Sequence, residues 1–443
     1  MTGRIYFGKC GRGFRRVFNE YRLSVQTTLL TAPMLASLPY VAAPPAPLPA
    51  PPAAPTFVPA PPAVPAPAPL PPPSPTTGRL DPLLSQKLRF WSLMAMLMLT
   101  YVHAYNLHPR YLQPWTPVRD PLLVGTWLQY FLANGLLRFR MPMLFAVSGY
   151  LFAHHEGQTS HRTRVRRRIF TLLVPYLAWS ALGLLFTWGL EQFNQTRPLV
   201  LAAALSPFDP TTPYVSDFSP KQLLQSWLLT PIPFQLWFIR TLFVYCLFYP
   251  WLRTAVDRVP RLYFAAAGVL WLMGWAMPLV EGSGLLFFVL GIWLRRRNID
   301  VLAAPRWFRP RQFLLLWLTL ISVKTWLAFF LVRPPFGVMS VLHKTVELLG
   351  LLIMWYGSDW LVRVAMRQAW FRWMAGFSFI IYAMHAPLLT YVTEAFLRIW
   401  PAQHLLVFGM VPLLVAGTTV LVGAGLRRLV PATYGLLTGG RGL

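Results

Sequence analysis

The chain is 443 residues long, 56% hydrophobic and 12% charged, with 19 Trp and 31 Phe. Its mean hydropathy is +0.48; a soluble globule carries roughly 25% charged residues, so a water-covered fold is excluded. The 40 Lys+Arg against 13 Asp+Glu give a net charge of +27. Because these cations fall between long apolar runs, they mark membrane loops facing an anionic leaflet, and no nucleic-acid partner is expected.

The chain changes character near residue 84. Its first 22 residues are basic, Leu23–Ala42 is apolar but interrupted by Pro33 and Pro39, and Pro44 to Pro75 is largely Pro and Ala. Such a stretch builds no packed core and favours an extended polyproline conformation. A secretory signal over Lys9–Ala43 has the basic start and small residues it needs, but the prolines and the loop charges oppose it. Residues 1–83 are therefore expected to be a disordered tail. Cys10 and Cys246 match no metal-ligand or redox spacing, so neither a metal nor a disulfide is expected.

Residues 84–430 read as an all-α membrane bundle of about ten spans, at roughly 17–25 residues each. Their approximate extents are 90–107, 137–154, 170–190, 235–252, 261–280, 283–297, 312–332, 344–362, 375–396 and 404–426. With an inside amino end, the inner loops hold about twenty arginines, among them Arg162–Arg168, Arg295–Arg297 and Arg427–Arg428. The outer loops hold about seven cations, including Arg110, Arg119 and Arg333. This alternation sets both termini in the cytoplasm, with 431–443 a short cytoplasmic tail. Nothing in the pattern fixes an oligomeric state.

Ionisable groups inside spans are costly in hydrocarbon and so are candidate functional sites. In the first span, Arg89 and His103 are 14 positions apart, about 40° from whole turns and roughly 21 Å along the axis. They share a face, with His103 in the outer half. In the second span Arg138 and Arg140 start at the outer boundary, where they can snorkel. Pro142 comes next and is expected to kink the helix, while Ser148-Gly149 suits either a site or a small-residue packing contact. Trp237 and Arg240 open the fourth span, and Ser378, Tyr382 and His385 share a face of the ninth. Lys324 and Glu347 are further buried charges, Glu347 being the one expected to line a cavity. Snorkelling accounts for the arginines but not for two outer-half histidines, so His103, Arg138, Arg140, Arg240 and His385 are expected to share one polar cavity.

Six ordered signatures then carry a resemblance: Arg89 to His103, RFRMPMLFAVSGYLF (138–152), LLVPYLAW (172–179), LWFIRTL (236–242), FFVLGIWL (287–294) and IIYAMHAPLL (380–389). Together they resemble the acyltransferase 3 family of integral membrane O-acyltransferases that modify surface polysaccharides. Thirteen residues separate Arg89 from His103 where the family has about ten, a difference close to one turn that keeps both on one face. No second, esterase-like domain is expected after the bundle.

The resemblance implies transfer of a short acyl group, acetyl or succinyl, from cytoplasmic acyl-CoA to a hydroxyl of a polysaccharide or lipid-linked sugar. Acetyl-CoA is the expected co-substrate, with no tightly bound cofactor, in the inner (cytoplasmic) membrane. It implies His103 as base or acyl carrier, with Arg138 and His385 completing the catalytic set. Arg89, Arg140, Ser148, Tyr150, Trp237, Arg240 and Tyr382 are implied in substrate binding. The rival reading is a polytopic transporter or flippase, which the lack of self-similar halves disfavours.

Overall fold

The computed structural model describes residues 80–108, 116–208, 211–331 and 335–442. The expected tail therefore lies, through residue 79, outside the described residues, as do Cys10, Arg110 and Arg333. The described residues contain helices and no strand beyond an isolated bridge between Ala276 and Glu281.

Six helical stretches are long and apolar enough to cross a membrane: Val124–His154, His161–Glu191, Pro310–Phe330, Phe336–Gly357, Ser378–Ile399 and His404–Leu429. The other four predicted spans fall on Pro82–Ala104, Trp237–Leu247, Pro260–Leu272 and Gly282–Arg296. The first helix, α1 (Pro82–Ala104), starts two residues before the expected boundary at 84. Asp81 caps it, its carboxylate accepting from the backbone N–H of Leu83 at 2.8 Å and of Leu84 at 3.1 Å. Pro82 occupies the first turn, where no backbone donor is used.

The second stretch begins at Val124, not near 137. It comprises α2 (Val124–Tyr130), a π turn (Phe131–Leu136) and, after a break, α3 (Arg140–His154). The expected kink at Pro142 is displaced. Pro142 lies in the first turn of α3, where it is tolerated, and the break falls just before it at 137–139. Further on, α4 (His161–Arg168) runs through a second π turn (Ile169–Leu173) into α5 (Val174–Glu191). Here the cause is Pro175, which brings no N–H to the Thr171 carbonyl four residues back.

Two short helices, α6 (Arg197–Ala203) and α7 (Pro220–Leu228), connect α5 to α8 (Trp237–Leu247). The predicted span 235–252 is interrupted at Phe248, because Pro250 opens a separate helix, α9 (Tyr249–Arg258). Then come α10 (Pro260–Leu272) and α11 (Gly282–Arg296), followed by α12 (Pro310–Phe330) and α13 (Phe336–Gly357). Two short helices, α14 (Asp359–Arg367) and α15 (Ala369–Ala375), lead to α16 (Ser378–Ile399) and α17 (His404–Leu429). Within α16 the helix is broken at Ala386 (φ −110°, ψ 140°), immediately before Pro387.

The closest helix pairing is α3 on α11. A Cβ on Gly149 would stand 1.9 Å from the Phe288 carbonyl oxygen, and one on Gly291 would stand 2.0 Å from that of Ala146. Of the two readings of Ser148-Gly149, Gly149 is thus the packing contact that lets backbones touch. Gly149→Ala is expected to cost at least the upper part of the roughly 1–3 kcal/mol typical of overpacking, since a backbone carbonyl cannot swing aside. Thermal unfolding in detergent measures this, and an unchanged midpoint would refute the close contact.

Residues 431–442 fold back on the bundle. Helix α18 (Pro431–Thr438) buries Tyr434 fully, and Trp179 Nε1 donates to the Leu437 carbonyl at 2.9 Å. Arg441 Nη1 donates to the Thr171 carbonyl at 2.7 Å, the oxygen that Pro175 leaves free. Gly439, with φ of 62°, allows this approach, since a Cβ there would meet the Thr171 Cα at 2.6 Å.

Candidate active site

His103 ends α1 and His385 lies just before the break in α16. Their rings stack with centroids 5.2 Å apart, and His103 Nδ1 lies 3.0 Å from His385 Nε2. On its other side, His385 Nδ1 faces the carbonyls of Tyr382 at 2.8 Å and Ile381 at 3.1 Å. A carbonyl only accepts, so Nδ1 of His385 carries its proton. With both rings neutral, His385 Nε2 then accepts from His103 Nδ1–H, which leaves the lone pair of His103 on Nε2. His385 is fully buried, whereas His103 lines a cavity of about 230 Å3.

The break in α16 builds this arrangement. Pro387 supplies no N–H to the Ala383 carbonyl, and Gln235 Nε2 fills the vacancy at 3.0 Å while also reaching Ala386 O at 3.1 Å. Tyr382 OH returns a bond to the Gln235 carbonyl at 2.7 Å. Gln235 is buried and lines the cavity. Sequence reasoning finds in it only the first residue of a span; its signal is a polar side chain at a span entrance directly before LWFIRTL.

Arg138 and Arg140 line the same cavity as His103. Their hydrogen-bond partners are neutral. Arg138 Nε donates to Ala133 O at 3.0 Å and its Nη2 to the side chain of Asn134, while Arg140 Nη1 donates to Leu137 O at 2.8 Å. Arg140 is 3% exposed and its Nε has no hydrogen-bond partner among the described residues. Two guanidiniums held by carbonyls and an amide make a place for negative charge.

A second cavity of about 250 Å3 is lined by Ser92, Ser148, Cys246, Ser378, Arg168 and Arg441, among others. Met96, Leu144, Phe238 and Tyr382 line both cavities, so the two meet across these four side chains.

Of the residues expected to share one cavity, the structure brings His103, Arg138 and Arg140 together on its wall, with Trp237 and Tyr382, while His385 does not line it and touches His103 from behind. Ser148 belongs to the second cavity. Arg240 departs from expectation: its Nη2 donates to the Pro278 carbonyl and it lines neither cavity. Tyr150 lines neither as well. Arg89 is exposed near the opposite end of α1 from His103, and the buried cation there is Lys87, fully enclosed and paired with Asp359. Arg89 thus does not follow His103 into the interior of the bundle. Glu347 is buried without lining either cavity; it pairs with His343 at 3.2 Å and Lys344 at 3.2 Å.

A helical membrane bundle with a histidine, backed by a second one, and two arginines lining one cavity suits acyl transfer, and the family comparison agrees. The acyltransferase 3 family model, described as an acyltransferase domain, matches residues 90–424. The chain belongs to this family and is an O-acyltransferase. Among known proteins it is similar to the succinoglycan biosynthesis protein ExoH of Rhizobium meliloti (strain 1021). The two are 25% identical over 345 residues, covering 75% of this chain and 88% of the relative. No solved structure matches the chain.

Proposed function

We propose that the protein transfers a short acyl group, acetyl or succinyl, from cytoplasmic acyl-CoA to a hydroxyl of a polysaccharide or its lipid-linked precursor outside the inner membrane. The observation that carries this reading is the His103–His385 pair with its lone pair on the cavity-lining ring. The name of the succinoglycan-biosynthesis relative supports a polysaccharide acceptor.

In this mechanism His103 Nε2 takes the proton of the acceptor hydroxyl as its oxygen bonds to the acyl carbon. Negative charge gathers on the former carbonyl oxygen, beside Arg138 and Arg140. Collapse breaks the carbon–sulfur bond, and the imidazolium returns the proton to the departing sulfur. His385 holds the base in the required tautomer through its bond to the Tyr382 carbonyl. The loop charges support a cytoplasmic location for the basic end of the bundle and for both termini. The donor thus enters by the second cavity, where Arg168 and Arg441 stand, and meets the acceptor across the shared wall of Met96, Leu144, Phe238 and Tyr382. Arg296 is already bonded to Glu156 at 2.8 Å and Asp257 at 2.8 Å, which favours Arg168 as the donor-side cation.

The deciding experiment supplies purified protein in lipid discs with acetyl-CoA or succinyl-CoA and an acceptor glycan. Free thiol should appear together with an acylated glycan, whose mass names the substituent. Glycan movement across a vesicle wall with no acylated product would instead establish transport.

A further inference from the structure

Behind the Arg138–Arg140 wall lies a row of buried ionisable groups with no part in the mechanism above. Lys324 of α12 is fully buried, and its Nζ donates to the Asn134 carbonyl and to His343 Nδ1, the latter at 2.8 Å. From His343 the row continues to Glu347 and Lys344. In the sequence Lys324 and Glu347 stand as separate charges. His343 escapes notice there because the span is expected to start at 344, whereas α13 starts at Phe336.

Lys324 touches the π turn. In a regular α-helix the Ala133 and Asn134 carbonyls would accept from the amides of Leu137 and Arg138. Here Leu137 N bonds to Leu132 O at 3.0 Å and Arg138 N to Gly135 O at 3.3 Å. The two carbonyls passed over take side-chain cations instead, Arg138 Nε on Ala133 O and Lys324 Nζ on Asn134 O. Asn134 is thus held at both ends, its side chain by Arg138 and its backbone by Lys324. Gly135 lets α12 close on the turn, since a Cβ there would lie 2.3 Å from Ile321 Cγ2.

We propose that Lys324, backed by His343 and Glu347, is a positioning residue that locks this turn in its π register and so aims Arg138 and Arg140 into the cavity. The proposal rests on the cavity being the acyl-transfer site. Rewinding the turn to α register would rotate α3 by about 100° relative to α2. An unpartnered buried carbonyl at Asn134 drives that rewinding, because in hydrocarbon no water replaces the lost donor.

The test is Lys324→Met, which keeps the chain length, removes the donor and leaves Glu347 balanced by Lys344. Its kcat should fall by about 10- to 100-fold, as displaced catalytic groups do. The KM for acyl-CoA should stay within about twofold, since Arg138 and Arg140 act on the transition state. Backbone amides of residues 131–139 should exchange hydrogen faster than in the parent. His103→Ala is assayed beside it. A dead His103→Ala with wild-type kcat in Lys324→Met overturns this proposal alone, whereas activity in His103→Ala overturns the reading of the site itself. Disappearance of Lys324→Met from the membrane also overturns the proposal, because a positioning residue leaves the bundle intact.

Discussion

His103→Ala is expected to abolish glycan acylation while leaving membrane level and thermal midpoint unchanged. A positioned general base contributes roughly 10²–10⁴-fold, and here no second side chain can take over. His385 is fully buried and does not line the cavity, and its Nδ1 is held by the Tyr382 carbonyl, so it does not reach the acceptor. His103→Gln separates the roles further. An amide can keep a hydrogen bond to His385 Nε2 but has no basic lone pair, so it should be as inactive as alanine. Residual activity in Gln above that in Ala would assign His103 an orienting role and move the base elsewhere. His385→Ala should be milder, because His103 keeps its ring and loses only the partner that fixes which nitrogen carries the proton. A slope measured against pH in both variants, with product quantified by mass spectrometry, checks the ranking.

Arg138→Lys should lower kcat by about 10²-fold or more, comparable to removing a fixed donor from an oxyanion site. The guanidinium of Arg138 is clamped through Nε on Ala133 O and Nη2 on the Asn134 side chain, and Nη1 takes neither of these bonds. A lysine retains the charge and cannot satisfy two such directions while presenting a third N–H. Since the loss falls on the transition state, KM for the thioester should move little. Wild-type kcat in Arg138→Lys would show that charge alone suffices at this position. Arg140→Lys provides a comparison, because Arg140 is tethered only through Nη1 and should tolerate the change better.

Much of the site is legible in the sequence because helix arithmetic holds wherever a helix is unbroken. Along α1 and up to Ala386 in α16 it places both histidines at one depth, and they are in contact. It fails where backbone leaves the regular path. By periodicity Arg138 and Arg140 are boundary residues of a span starting at 137, yet the stretch starts at Val124 and reaches them through a π turn, which no periodicity announces. Arg240 is expected at the depth of the cavity but lines neither cavity and bonds to the Pro278 carbonyl, since depth along one helix carries no information about azimuth between helices. Lys324 joins His343 and Glu347 only through the packing of α12 on α13 and the π turn, which has no local sequence signal; the four-residue spacing of His343 and Glu347 is local, but His343 lies before the expected start of its span.

The Arg441–Thr171 bond also bears on attempts to make this enzyme heat-tolerant. A routine recipe exchanges helix prolines for alanine to recover a missing backbone bond. At residue 175 that recipe backfires: the restored amide would compete for the Thr171 oxygen and leave Arg441 Nη1 with the Thr438 carbonyl alone, loosening the tie between the carboxyl-terminal segment and the bundle. Sequence libraries built for thermal hardiness should hold Pro175 and Arg441 fixed as one unit.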